Sequence, residues 1–532
     1  MIEIKLLDDT PTAAPERPEA NRPQFPPSFF QAPFVDVQAL HASPYEVDET
    51  TYLALGGGLG SFVWVDYLRV AGVPAAHVAA IGFEDKPYGR YRRLASNSQI
   101  PDHERLRSNS DACPDNLWGW PGYGVREMWS WAKRGRLLKA GKIGFQLLTE
   151  PLLIEPFTPR SGDVYHAIDQ EAERIGWAQI WRYGRIRAIR KTTDGRYAVA
   201  YAQDNGRTAA QRYKFFVAPF VHVAVGYPAV RFLPDLQAYR EETADFEHVV
   251  NAYEAHHHVY DELEQHGGTV LIRGRGIVAS RVIQRLYEAR QKGAAVGVIH
   301  LMRSKIEQGS RHGLTARPVN HHWELQPYNF PKACFGGDLK KKLEQLPAEE
   351  REQLTERLGG TTTAERADWQ AILDNGRAKG WYQIRFGEVE RVSREGDKIV
   401  TRLASDDLID AAAAFYVDYV IDCTGLHGNV RLNPLLDDLI EMYQLPTNSL
   451  ERMVVTDDYE ITDMRNGRAR LYAAGAMTYG NGFAPVDSFL GLQYVAQRSA
   501  EALVAHETPF LKPLEGGRSL TAWWRWARGV QP

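Results

Sequence analysis

Two short glycine runs hold the residue types and spacing best suited to chemistry. The first is Gly56-Gly57-Gly58-Leu59-Gly60-Ser61, between the apolar run TYLAL and FVWVDYLRVAG. The second is Gly274-Arg275-Gly276-Ile277-Val278-Ala279, between TVLIR and SRVIQRLYEAR. A backbone approaches a pyrophosphate closely only where side chains are missing. The helix that follows then offers free N–H groups and the positive end of its dipole. In the first run Gly56 permits a tight turn and Gly58 the close approach, while Ser61, next to Gly60, holds the third small position. Gly274, Gly276 and Ala279 take those places in the second. A further apolar run follows each helix, HVAAIGF and then AAVGVIHLM. Strand, glycine turn, helix and strand therefore recur in the order a βαβ nucleotide-binding unit requires.

What ends the second strand separates the two units. Glu84 and Asp85 end the first, where a carboxylate accepts hydrogen bonds from a ribose 2′-hydroxyl. Arg303 and Lys305 end the other. A carboxylate there would repel a 2′-phosphate, whereas a guanidinium grips it bidentately. The second unit is thus predicted to take NADP rather than NAD.

These turns need elements to hold them, and the chain has ample length at 532 residues. The fold class read from the pattern is α/β, with a Rossmann-like three-layer dinucleotide-binding unit interrupted by a second Rossmann-like unit of the NAD(P) type. We read 1–48, with seven prolines between Pro11 and Pro33, as an extended arm. Residues 49–235 and 405–510 form the first unit, 236–404 the second with a helical insertion, and 511–532 a Trp-rich tail. The stretch FFVAPFVHVAVGYP reads as one strand, 339–380 as a solvated helical pair, and the strands at 384–403 and 415–421 as the return to the first unit.

Composition closes off other classes. Hydrophobic residues make up 44% and charged residues 24%, and the net charge is −4, which gives no reason to expect a nucleic-acid partner. Three cysteines, Cys113, Cys334 and Cys423, form no CxxC pair. His256-His257-His258 and His321-His322 have no HExxH frame, so no metal is expected and these histidines read as surface or interface residues. No apolar run suits a transmembrane segment or signal peptide, and a cytoplasmic protein is expected. Trp118, Trp120, Trp129 and Trp131 are read as walling a pocket or packing a domain interface. Trp523, Trp524 and Trp526 are read as docking on the chain itself, a partner subunit or a membrane surface.

With both turns in view, the chain resembles the flavoproteins with two dinucleotide-binding domains. Val420-Ile421-Asp422-Cys423-Thr424-Gly425 resembles their V-I-x-A-T-G strand end, and Leu471-Tyr472-Ala473-Ala474-Gly475 their last FAD strand, with Ala476 where an acid is usual. Arg107-Ser108-Asn109-Ser110, the Ala224–Pro234 stretch and Phe246-Glu247-His248 are similar to motifs of flavin-containing monooxygenases and amine N-hydroxylases. The resemblance implies FAD in the first unit and NADPH in the second. It places Gly475 and the helix start at Asp487 beside the flavin, with Asn109 a catalytic polar group there. It implies hydride transfer to flavin N5, addition of O2 at C4a, and oxygen transfer from that peroxyflavin to a small-molecule substrate. A reductase or dehydrogenase without oxygen insertion, or a non-catalytic flavoprotein that senses NADP, stays open. So does a homo-oligomer.

Overall fold

The computed structural model describes residues 25–150, 157–203, 213–312, 315–326, 337–358, 362–404 and 414–532. Two five-stranded parallel sheets organise it. In the first the order is Arg470–Ala473, Phe220–Val223, Tyr52–Gly56, Val78–Gly82, Trp181–Tyr183. Its strands are apolar almost throughout because both faces are covered. Tyr52 and Ala54 face the helix Leu59–Val70 and its neighbours Ser161–Ile175 and Phe489–Ala505. Leu53 and Leu55 face an antiparallel layer, Arg185–Thr192, Tyr197–Ala202 and Tyr213–Ala218, and the helix Pro434–Tyr443.

The second sheet runs Val249–Asn251, Tyr419–Asp422, Gly268–Arg273, Val296–Met302, Tyr382–Phe386, again all parallel. The helices His257–His266, Ile277–Gln291 and Ala367–Ala378 cover one face. The antiparallel strands Val389–Glu395, Lys398–Leu403 and Ala414–Val417 cover the other.

Several elements depart from the sequence reading. The strands at 384 and 419 do not return to the first sheet. Both pair within the second, and Arg470–Ala473 is the strand that rejoins the first. A short V-I-D run is equally at home in any parallel sheet, so its partner is set by the chain path. FFVAPFVHV is two strands: Pro219, which has no N–H to donate, separates Tyr213–Ala218 from Phe220–Val223, and they enter different sheets. The arm is built into the body from residue 25. Phe34–Val35 pairs with Arg185–Thr192, and Glu46–Glu49 with Tyr213–Ala218. The helices Asp338–Gln345 and Ala348–Leu358 are solvated on one side only, since Leu339, Leu343, Leu354 and Leu358 pack with Ala484. The tail forms the helix Gly516–Ala527 and docks on the chain itself. Trp526 Nε1 donates to the Asp115 carbonyl at 3.3 Å, and the Trp523 ring meets Trp120 edge-on at 6.0 Å. Among the described residues no helix is long and apolar enough to cross a membrane.

Three histidines sit within the cores. His256 is one of them, and it is buried rather than a surface residue, bonded to Tyr260 Oη at 2.9 Å and the Glu254 carbonyl at 2.8 Å. His222 lies in Phe220–Val223, beside the central strand of the first sheet, stacked on Trp64 at 4.8 Å, with neither ring nitrogen hydrogen-bonded. Burial lowers its pKa to about 3, so it is neutral when folded but takes a proton below about 6.5 when unfolded. The unfolded state binds more protons between these values, so this residue costs stability as pH falls from 6.5 towards 3. His222→Phe keeps the ring stack and removes the proton. We expect it to lessen the stability lost between pH 7 and pH 5 by about 2 kcal/mol, read from urea unfolding at both pH values. An unchanged pH slope would mean that His222 is not held neutral in the core.

Candidate dinucleotide sites and the cavity between them

At the first glycine turn the backbone is pressed against the neighbouring strand. Gly56 has φ +124°, and a Cβ there would lie 2.2 Å from the Ala224 carbonyl oxygen, so only glycine fits. Gly58 is different. Its backbone is ordinary extended chain (φ −87°, ψ −166°), and a Cβ there would meet nothing nearer than the Pro87 carbonyl at 4.0 Å. The protein itself therefore does not require glycine at this position. The space a side chain would fill lies before the start of Leu59–Val70, which has no side-chain cap for its first N–H groups. Ser61 Oγ accepts the Gly57 N–H at 3.2 Å. Gly60 lies underneath, where a Cβ would crowd Ala224 Cβ at 2.9 Å, so its visible role is packing. Glu84 and Asp85 follow the strand Val78–Gly82. Glu84 pairs with Arg93, while Asp85 is exposed and accepts the Lys86 N–H at 2.8 Å.

The second turn repeats this geometry. Gly274 has φ +107°, and a Cβ would lie 2.5 Å from the Cys423 carbonyl oxygen. Gly276 starts the helix Ile277–Gln291 with φ −90° and ψ −172°, close to the Gly58 values, and Ala279 is fully buried beneath. Cys423 is the buried small residue its motif position implies. A buried polar chain props the turn: Trp323 Nε1 donates to Tyr382 Oη at 3.0 Å, Tyr382 bonds His300 Nδ1 at 2.8 Å, and His300 Nε2 meets the Gly274 carbonyl at 2.6 Å. Burial lowers the His300 pKa to about 4, so the ring is neutral and Nε2–H is the donor to Gly274. Arg303 is exposed and makes no side-chain hydrogen bond or ion pair among the described residues. The Lys305 ammonium lies 5.7 Å from the Phe386 ring centroid. Arg275 also reaches this strand end, donating to the Ser304 carbonyl at 2.7 Å.

Between the two units lies a small cavity, open to solvent on one side, lined by four arginines, Arg105, Arg107, Arg281 and Arg366, with Ser280 and Thr363. Glu104 meets Arg281 at 3.1 Å and Arg366 at 3.7 Å, and Glu127 pairs with Arg105 at 2.7 Å. Among the described residues the hydrogen-bond partners of Arg107 are neutral, Gln326 Oε1 and the Thr362 carbonyl, both at 2.6 Å. Burial and the neighbouring Arg317 lower its pKa to about 10, which still leaves it charged at neutral pH. Four cations against two carboxylates suit an anionic group.

Asn109 is two residues further on, half-buried, in a segment held by the helix Phe489–Ala505. Gln493 Nε2 donates to the Cys113 and Asn116 carbonyls at 2.7 and 3.0 Å. At the start of that helix Ser488 Oγ accepts the Gly491 N–H at 3.0 Å, and Asp487 accepts the Tyr227 hydroxyl proton at 2.6 Å. Burial, then Asp487, raises the Tyr227 pKa. Gly475 follows Arg470–Ala473 and approaches Leu492 of the same helix. The structure thus links Asn109, Gly475 and Asp487 through one helix and leaves Arg303 and Lys305 at a separate strand end.

Sequence reading did not single out Arg105, Arg281, Arg366, Arg275 or His300. One signal was present: Ile277, Arg281 and Gln284 share a helix face, which places a cation in a row that packing alone would make apolar. Among the described residues no group of three or more His, Cys, Asp or Glu could hold a metal ion.

No protein-family model matches the chain, and no curated protein matches it in sequence. Solved structures do match in fold. Ornithine hydroxylase PvdA from Pseudomonas aeruginosa is 15% identical with a TM-score of 0.58, over 86% of this chain and 100% of that one. FAD-bound DfoA, the cadaverine monooxygenase of Erwinia amylovora, is 14% identical with a TM-score of 0.59, over 87% and 96%. Ornithine N-hydroxylase KtzI from Kutzneria sp. 744, solved with reduced FAD, NADP+ and L-ornithine, is 13% identical with a TM-score of 0.58, over 86% and 100%. The resemblance first read from two glycine turns therefore extends over most of the chain path: this protein is folded as the flavin-dependent N-hydroxylating monooxygenases are folded.

Proposed function

We propose that the chain is an FAD-dependent, NADPH-using monooxygenase that oxygenates a small molecule, N-hydroxylation of an amine being the preferred reaction. The observation that carries this reading is the pair of glycine turns with matching backbone geometry but opposite charge at the strand that follows. In this reading the FAD-binding unit is interrupted by the NADP-binding unit, with the sheet of 249–422 inserted between the strands Phe220–Val223 and Arg470–Ala473. The open space before Gly58 and the uncapped helix start fit a pyrophosphate, and Glu84 or Asp85 stands where a ribose hydroxyl would donate.

FAD, when bound, supplies the redox centre that accepts hydride from NADPH and activates O2. The chain's own residues do the rest. Gly58 leaves room for the phosphates. The helix start at Asp487-Ser488 directs its positive dipole end towards a developing negative charge, and Asn109 offers an amide to the reacting groups. Arg303 and Lys305, with Arg275, hold the 2′-phosphate of NADPH. The four-arginine cavity supplies positive field between the two units, suited to the anionic portion of a nucleotide or substrate.

Purified protein should be yellow. Gly58→Val should fold, since the nearest atom to the new Cβ, the Pro87 carbonyl oxygen, is 4.0 Å away, but should lose FAD. Absorbance of the purified variant beside its unfolding temperature checks both halves, and a colourless wild type that FAD cannot restore would end this reading.

Arg303→Ala should raise KM for NADPH roughly 10- to 150-fold, the equivalent of a lost charge-assisted contact of about 1.5–3 kcal/mol. KM for NADH should barely change, because NADH has no 2′-phosphate. Equal loss with both nucleotides would move Arg303 to a structural role.

Oxygen insertion is tested by supplying diamines and amino acids with side-chain amines under aerobic turnover. The expected result is amine-dependent NADPH consumption matched by hydroxylated product. Consumption that yields only hydrogen peroxide, whatever the amine, would make the protein an oxidase or reductase.

A further inference from the structure

The helical hairpin Gly122–Lys133 and Leu137–Thr149 packs on the first unit through one face only. Inward, Ile143 and Leu147 join the core around Phe62 and Ile168, and Leu147 lies against Gly124 of the partner helix. Outward, the second helix carries another apolar row. At about 100° per residue, Leu137, Leu138, Gly141, Phe145 and Leu148 fall within one arc of roughly 100°. These are not grazing exposures: Leu138 is 93% and Leu148 83% exposed, with Leu137, Phe145 and Trp129 largely open as well. An apolar row this open on a soluble surface marks a contact.

The charge around it identifies the partner. Between Trp118 and Thr149 there are six Lys or Arg and a single acid, Glu127, which Arg105 already occupies. Lys133, Arg134, Arg136 and Lys139 crowd the turn of the hairpin, the last with its ammonium 4.6 Å from the Trp131 ring centroid. The tail helix Gly516–Ala527 joins this side through the Trp120–Trp523 contact, adds exposed Leu520 and Trp524 with Arg518 and Arg525, and has no acidic residue. A second copy meeting this surface about a two-fold axis would set like charges against like. Tryptophan and leucine rimmed by lysine and arginine instead match the boundary of an anionic lipid layer, where apolar side chains enter the acyl region and cations face the headgroups.

We propose that the hairpin Gly122–Thr149 and the tail helix together dock the protein peripherally on an anionic membrane surface, without crossing it. This does not depend on the cofactor assignment, because none of these residues borders either glycine turn.

The test is co-sedimentation of the full chain with vesicles of phosphatidylcholine alone and of phosphatidylcholine with phosphatidylglycerol. Binding is expected to the second only and to weaken as salt rises. Leu138→Glu with Phe145→Glu should cut binding at least about tenfold, and Lys139→Glu with Lys142→Glu about fivefold or more per cation. Both double variants should keep the wild-type unfolding temperature, since all four side chains are exposed. Failure to sediment with either vesicle, or equal binding to both, overturns the proposal. So does a dimer in light scattering that Leu138→Glu with Phe145→Glu dissolves, which would make this face a contact between copies.

Discussion

The contact on which the two nucleotide-type units depend is that of a glycine with the end of the neighbouring strand. At Gly56 the strand carbonyl belongs to Ala224, at Gly274 to Cys423, and in each case a side chain would overlap it. Because the turn can settle onto the adjacent strand end, the following helix starts low, over the carboxyl edge of the sheet, with its first N–H groups facing the crevice there. Raise the turn by one methyl group and the helix start lifts away with it. The short A-V-G and C-T-G segments at 224–226 and 423–425 are therefore structural halves of the glycine turns, although they lie 168 and 149 residues from Gly56 and Gly274.

The same contact explains why the second turn needs support from below. Gly274 gives its carbonyl to His300, which is fixed in turn by Tyr382 and Trp323. That chain ties the turn to the next two strands. Among the described residues the first turn has no such prop. The position that His300 takes in the second sheet is held in the first by Ala80, while His222, on the strand to the other side, stacks on Trp64, and Ser61 steadies the turn from within. Two units built on one plan thus hold their turns differently, one through a polar relay and one through packing and a hydroxyl.

Much of this was legible in the sequence because it is local. Glycines, apolar runs and the charges that end them lie within thirty or so residues of one another, and short-range sterics decide their shape. Asn109, Asp487 and Gly475 were named from resemblance, and the helix that joins them is itself a plain amphipathic run. What sequence could not convey was pairing at a distance. Nothing in V-I-D-C says whether it lies beside Tyr52–Gly56 or Gly268–Arg273, and Pro219 divides a run that hydrophobicity alone reads as one strand. The arginine cavity was hidden for the same reason, since its cations come from residues 105–107, 281 and 366 and look like ordinary surface charges until the chain is folded.

That cavity also bears on how the units are held together. Glu104 of the first unit bonds Arg281 and Arg366, Arg107 reaches Gln326 and the Thr362 carbonyl, and Asn97 donates to the Tyr253 carbonyl at 2.8 Å. These ties are polar and can exchange partners at small cost, whereas Leu339, Leu343, Leu354 and Leu358 join the units through apolar packing on Ala484. An anion entering the cavity would compete with Glu104 for Arg281 and Arg366 while relieving the repulsion among four guanidinium groups. The groups that would hold such a ligand, Arg281 and Arg366, are thus among those that now tie the two units together through Glu104.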